Sequence, residues 1–101
     1  MGWADKHIEK LKSGETVKFR PHGNSMVGKI SSGQLCTVEP VAADYQLKHG
    51  DIVLCKVRGS QYLHVVWAAA EDIFQIGNAR RKMNGWTPRS QIYGRCIKVE
   101  D

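Results

Sequence analysis

Apolar and polar residues alternate with a period of two along most of this chain, and a helical period occurs only near its beginning. Thr16-Val17-Lys18-Phe19-Arg20 alternates as a half-buried strand does, because successive side chains of a strand point to opposite faces. Pro21-His22-Gly23-Asn24 breaks that strand, and residues 25–30 read as a helical turn ended by Ser31-Ser32-Gly33. Residues 34–38 read as the next strand, and residues 40–48 as a connection into the tight turn His49-Gly50-Asp51. The apolar run Ile52-Val53-Leu54-Cys55-Lys56-Val57 predicts a buried strand, and Arg58-Gly59-Ser60 predicts a hairpin into a strand over 61–67. Residues 68–72 lead to a further strand over 73–76, residues 77–88 read as a polar, glycine-containing loop, and 93–99 alternates as a last strand. Trp3, His7, Ile8 and Leu11 recur at helical spacing and Ser13-Gly14 supplies a stop, which predicts a short amphipathic helix. The expected fold is mainly β with a short N-terminal helix: one domain over 1–101, its helix within 1–14 and its β core within 15–101.

Composition narrows the class. With 101 residues, 42% of them hydrophobic and 25% charged, the chain is an ordinary globular sequence with room for one core. A core of this size is modestly stabilised, so a homodimer or a bound partner has stability to add. No apolar run is long enough to span a bilayer, and MGWADKHIEKLK lacks the apolar stretch of a secretory signal, so a cytoplasmic protein without membrane attachment is expected. Gly2 is followed by Lys6 where the myristoylation pattern needs Ser or Thr. Cys36, Cys55 and Cys96 are odd in number, far apart and set in apolar or alternating stretches, so they read as small buried hydrophobes. No CxxC or Cys/His pairing suggests a metal, and no cofactor is expected. The net charge of +5 suits an acidic protein, nucleic acid or another anionic surface as partner. Arg80, Arg81 and Lys82 are the one basic cluster; among Asn78, Asn84 and Gly85 they read as a solvated loop tip.

Two residues carry candidate chemistry. Ser25 stands where a strand ends at proline and glycine, the backbone turns sharply and a helical turn begins. Such a turn exposes a hydroxyl and aims backbone N–H groups at whatever binds there, which a nucleophile and its oxyanion both need; a helix N-cap is the structural alternative. A serine also needs a neighbouring base. His64, within Tyr62-Leu63-His64-Val65-Val66, titrates in the right range for one, although a histidine among apolar neighbours also serves as a packed core residue.

The ordered set Gly23-Asn24-Ser25-Met26, Ser32-Gly33-Gln34-Leu35-Cys36-Thr37-Val38, Leu47-Lys48-His49-Gly50-Asp51-Ile52-Val53-Leu54, Tyr62-Leu63-His64-Val65, Phe74-Gln75-Ile76-Gly77-Asn78 and Ile92-Tyr93-Gly94-Arg95-Cys96-Ile97 runs in order along nearly the whole chain. It resembles the superfamily of LexA-type repressor peptidases, UmuD-like proteins and type I signal peptidases. The resemblance implies a β-rich peptidase fold with Ser25 as nucleophile, the backbone around Ser25 and Met26 as oxyanion hole, and His64 in the place of the usual lysine base. Lys56, on the preceding strand, is the alternative base. Asn78 falls in the loop that in histidine-type members supplies an acidic residue, and it would orient the imidazole by a hydrogen bond. Several family features are absent: the membrane anchor of signal peptidases, a helix-turn-helix unit before Phe19, an Ala-Gly or Cys-Gly cleavage pair, and proline after Ser-Met, where Val27 stands. The expectation is a stand-alone serine endopeptidase-like domain acting on an extended segment of a protein or peptide. The alternatives are an inactive binding or regulatory module of the same fold contacting protein or nucleic acid, and a homodimeric regulatory subunit of a bacterial DNA-damage or phage system.

Overall fold

The computed structural model describes residues 2–101. One helix, α1 (Asp5–Lys12), precedes seven strands: β1 (Val17–Phe19), β2 (Leu35–Pro40), β3 (Ile52–Val57), β4 (Ser60–Ala70), β5 (Ile73–Gly77), β6 (Met83–Pro88) and β7 (Ile92–Glu100). All seven join one sheet in the order β1-β2-β7-β3-β4-β5-β6, every neighbouring pair antiparallel. The mainly-β architecture with a short N-terminal helix is therefore the one that the alternating pattern requires.

Alternation divides the apolar residues between two faces. Leu54, Leu63 and Val65 join Cys36 and Val38 on one face, where Ala4, Ile8 and Leu11 of the N-terminal segment pack with Met26 and Ile30 of the β1–β2 connection. Val53, Cys55, Val57 and Val66 join Leu47, Phe74, Ile76 and Ile92 on the other. Trp3 lies just before α1 instead of within it, and fully buried Ala4 takes the adjoining core place. His7 leaves the core stripe to stack on Phe19, ring centroids 4.3 Å apart.

Irregularities in the ladder bend the sheet. The register shifts between Leu54 and Cys55 in β3, between Val66 and Ala68 in β4, and between Ile76 and Gly77 in β5. Such interruptions bend a strand and increase its twist. β4 is long enough to serve two partners: residues 60–65 pair with β3 and residues 65–70 with β5. The hairpin turn to β5 lies at Glu71 and Asp72, so β4 runs beyond the stretch over 61–67 that its apolar run predicts.

Two further local expectations are corrected. Residues 77–88, read as a loop, contain strand β6. Asn84, Gly85 and Pro88 hide it, because all three disfavour strands; pairing with β5, from Ile73↔Pro88 to Gly77↔Met83, is what defines it. Thr87 fixes β6 across the second core, its buried hydroxyl donating to the Lys56 carbonyl at 2.7 Å. Residues 25–30 form consecutive turns that include one i→i+4 bond, from Ile30 N–H to the Met26 carbonyl, without continuing as a helix. Gly28, at φ 96°, interrupts them in a left-handed conformation open to glycine at little cost.

Candidate active site

The β1–β2 connection is closed at its base and anchored at its tip. Gly33 N–H donates to the Pro21 carbonyl at 2.8 Å, and the Arg20 guanidinium donates to the Gly33 carbonyl at 2.9 Å. Gly23, at φ 122°, donates to Ser32 Oγ at 3.0 Å. Met26 and Ile30 drop into the first core and are joined by an Ile30 N–H to Met26 carbonyl bond of 2.7 Å. Between these anchors the Ser25 carbonyl accepts the Ala79 N–H at 3.0 Å, which ties the turn to the β5–β6 loop. Ser25 itself stays exposed. Its hydroxyl and the amides of Ser25 and Met26 have no protein partner among the described residues.

Ser25 and His64 line one cavity of about 240 Å³, together with Met26, Ile30, Leu63 and His22. His64 comes from β4, opposite Val53 of β3, and is buried. The Tyr62 ring stacks on the imidazole with centroids 4.9 Å apart. Asn84 Oδ1 lies 2.7 Å from His64 Nδ1. With the amide oxygen as acceptor, Nδ1 carries the proton and Nε2 keeps its lone pair. Burial lowers the imidazole pKa below 6.5, and the bond to Asn84, which favours the charged form, opposes that shift. The ring is thus a neutral, oriented base at neutral pH. No hydrogen bond joins Ser25 and His64 among the described residues.

Asn78 is not the partner of His64. Its side-chain oxygen accepts the N–H groups of Arg80 and Lys82, each at 2.9 Å, and its carbonyl accepts the Trp67 indole N–H at 2.9 Å. It shapes the loop, and the orienting position falls to Asn84, which the sequence left in a loop reading. No local signal places Asn84 on a sheet, because Met83-Asn84-Gly85-Trp86-Thr87 does not alternate and the strand is defined by its pairing with β5. Lys56, the alternative base, lies on a separate groove with Gly2, Asp5 and Ser60, outside the Ser25 cavity.

Beside the cavity β4 has no strand partner on its β5 side. The Val66 N–H donates to the Asp51 carbonyl at 2.8 Å and its carbonyl accepts the Gly50 N–H at 2.9 Å, both on the β3 side. Alternation then turns the backbone of Leu63 and Gln61 to the opposite edge, which β5 leaves uncovered because its pairing begins at Val65. The Gln61 carbonyl accepts the Trp3 indole N–H there at 3.3 Å. The free edge at Leu63 therefore borders Ser25.

Cys36 and Cys55 are buried, and burial pushes both thiols up to about 12, far from thiolate chemistry at neutral pH. No group of three His, Cys, Asp or Glu among the described residues is arranged to hold a metal ion. No helix among them is long and apolar enough to cross a membrane. Comparison with protein-family models and with curated proteins finds no match to this chain.

Proposed function

We propose that this chain is a serine endopeptidase-like protein acting on extended peptide segments, with Ser25 as nucleophile, His64 as base and Asn84 as the residue that positions the base. The observation that carries this reading is the shared cavity: an exposed serine on a tight turn faces the same space as a buried, neutral histidine whose Nδ1 is held by Asn84 at 2.7 Å. His64 Nε2 takes the hydroxyl proton as Ser25 Oγ attacks the peptide carbonyl carbon. The amides of Ser25 and Met26 receive the charge that develops on the carbonyl oxygen. The tetrahedral adduct collapses as the C–N bond breaks, the imidazolium gives its proton to the leaving amine, and water then hydrolyses the acyl-enzyme. A substrate segment enters by pairing with the open edge of β4 at Leu63, as extended peptides add to exposed sheet edges.

The test is reaction with a fluorophosphonate, read by intact mass on wild type, Ser25→Ala and His64→Ala. The phosphonyl group is expected on wild-type Ser25, with fluoride released, and on neither variant. Folded wild type that stays unmodified from neutral to mildly alkaline pH would overturn the reading. A second reading, a binding module of the same fold, is favoured by one observation: Asn84 is uncharged and does not offset an imidazolium as a carboxylate does. In that case the open β4 edge is the functional feature and Ser25 is dispensable.

A further inference from the structure

Charge is segregated in this chain. Residues 16–38, 52–70 and 73–99 contain no Asp or Glu, yet they hold most of the fifteen Lys and Arg. These are the segments that build the cleft: the first carries the Ser25 turn, the second carries β3, β4 and His64, and the third carries β5, β6 and Asn84. All ten carboxylates lie elsewhere, on or just after α1, at Glu39, in the β2–β3 connection, in the β4–β5 turn and at the last two residues.

Within these carboxylate-free segments the β5–β6 loop is fixed against the Ser25 turn. Asn78 Oδ1 clamps the amides of Arg80 and Lys82, and the Ala79 N–H holds the Ser25 carbonyl at 3.0 Å. Arg81 is left-handed at φ 67°, with its guanidinium over the Trp67 ring at 5.0 Å. Arg80 and Lys82 flank it, both exposed, and Lys29 is exposed on the Ser25 turn itself. None of the three makes a salt bridge among the described residues. The loop therefore holds exposed cations without carboxylate partners next to the Ser25 turn, where they attract anionic groups.

We propose that the cleft selects extended peptide segments that carry carboxylates beside the bound stretch, with Arg80, Lys82 and Lys29 as the recognising cations. This inference rests on reading the cleft as a strand-adding peptide site, and it holds whether or not Ser25 is catalytic. A peptide fits better than a nucleic acid. The backbone groups of Leu63 match a strand, and Met26, Ile30 and Leu63 offer an apolar side-chain site. The Trp67 ring meets Arg81 and also His49, 5.4 Å away, which limits its use for stacking a base.

The experiment uses the Ser25→Ala protein, so that recognition is read without turnover. A short fluorescent peptide with an apolar centre flanked by Glu is compared by anisotropy with the same peptide carrying Gln for every Glu. The Glu peptide is expected to bind about tenfold tighter at low salt, with the advantage shrinking as salt screens the charges. Arg80→Glu combined with Lys82→Glu should abolish that advantage. Lys10→Glu combined with Lys12→Glu, an equal change of net charge on α1, should preserve it. Equal affinity for the two peptides, no binding of either, or equal loss in both double variants would overturn the proposal. So would an oligothymidylate that displaces the Glu peptide and binds more tightly through Arg80 and Lys82. Selectivity for Glu with no fluorophosphonate labelling of wild type would remove the peptidase reading alone.

Discussion

Asn84 Oδ1 on β6 lies 2.7 Å from His64 Nδ1 on β4, a contact across two strands separated in the sheet by β5. It makes Asn84 a positioning residue for the imidazole. A hydrogen bond worth ~1.4 kcal/mol corresponds to about a tenfold change in rate. Asn84→Ala is therefore expected to slow fluorophosphonate labelling about tenfold and to lower the His64 pKa further. Asn84→Asp should raise that pKa, because a carboxylate favours the imidazolium. NMR titration of the ring on all three proteins checks both shifts, and unchanged pKa values in both variants would show that the bond does not act on the base.

His64 is held neutral by burial, so its titration sets an acid limb on reactivity. Labelling of Ser25 should stay near its neutral-pH rate as pH falls to 6.5 and decline only below it, through the lowered pKa of the folded ring. Stability follows the same direction. The folded pKa values of His64 and His7 are both depressed by burial, so the unfolded chain takes up these protons first. Their contribution is complete above about 6.5, the unfolded value, and is lost as pH falls from there through the folded values. Urea midpoints measured at neutral pH and at steps below 6.5 test this in wild type against His64→Gln, which should lose part of the acid slope.

Gly94 of β7 is enclosed by its neighbours. A Cβ added there would meet Val38 Cγ1 at 2.6 Å, Glu39 O at 2.9 Å and Leu11 Cδ1 at 2.9 Å. Because one of those atoms is sheet backbone, the clash is not relieved by a rotamer change. Gly94→Ala is expected to cost about 1–3 kcal/mol by overpacking, read as a lowered denaturation midpoint. A variant as stable as wild type would mean that β2 at Val38 and Glu39, as well as Leu11 of α1, gives way freely.

Cys36 and Cys55 are buried thiols raised to about 12, whereas Cys96 is only partly buried. In the folded protein at neutral pH, iodoacetamide should modify Cys36 and Cys55 only at the rate of unfolding, with any prompt reaction confined to Cys96. Peptide mapping by mass after a short exposure distinguishes the three. Prompt modification of Cys55 would indicate that β3 opens locally.

Much of this protein could be read from alternation and turn chemistry. The apolar run of β3, the turn at Arg58 and Gly59 and the alternation of β7 each specify a strand or its end locally, and the structure contains β3, β4 and β7 there. The position of Ser25 on a sharp turn between β1 and β2 was equally local, because Pro21 and Gly23 end one strand and Met26 and Ile30 supply the apolar anchors. β6 was hidden because Asn84, Gly85 and Pro88 carry no strand preference and depend on β5 for their pairing. Asn78 was the candidate for orienting His64 only through the resemblance, which puts it in the loop that supplies an acidic residue in histidine-type members, yet its side chain is used by its own loop.

By itself, then, the sequence determined every strand but β6, the N-terminal helix, the sharp turn at Ser25 and the charge carried by each segment. Those properties depend on side-chain periodicity, backbone preference and composition, all of which act over a few residues. Only the tertiary structure decided that His64 shares a cavity with Ser25, that Asn84 and not Asn78 holds the ring, and that the basic loop abuts the Ser25 turn. Those are juxtapositions across the sheet, and they follow from register, from the shifts in β3, β4 and β5, and from the Ser25–Ala79 backbone bond. Residues distant along the chain meet only after the whole sheet has paired, and no local pattern records where that pairing will bring them.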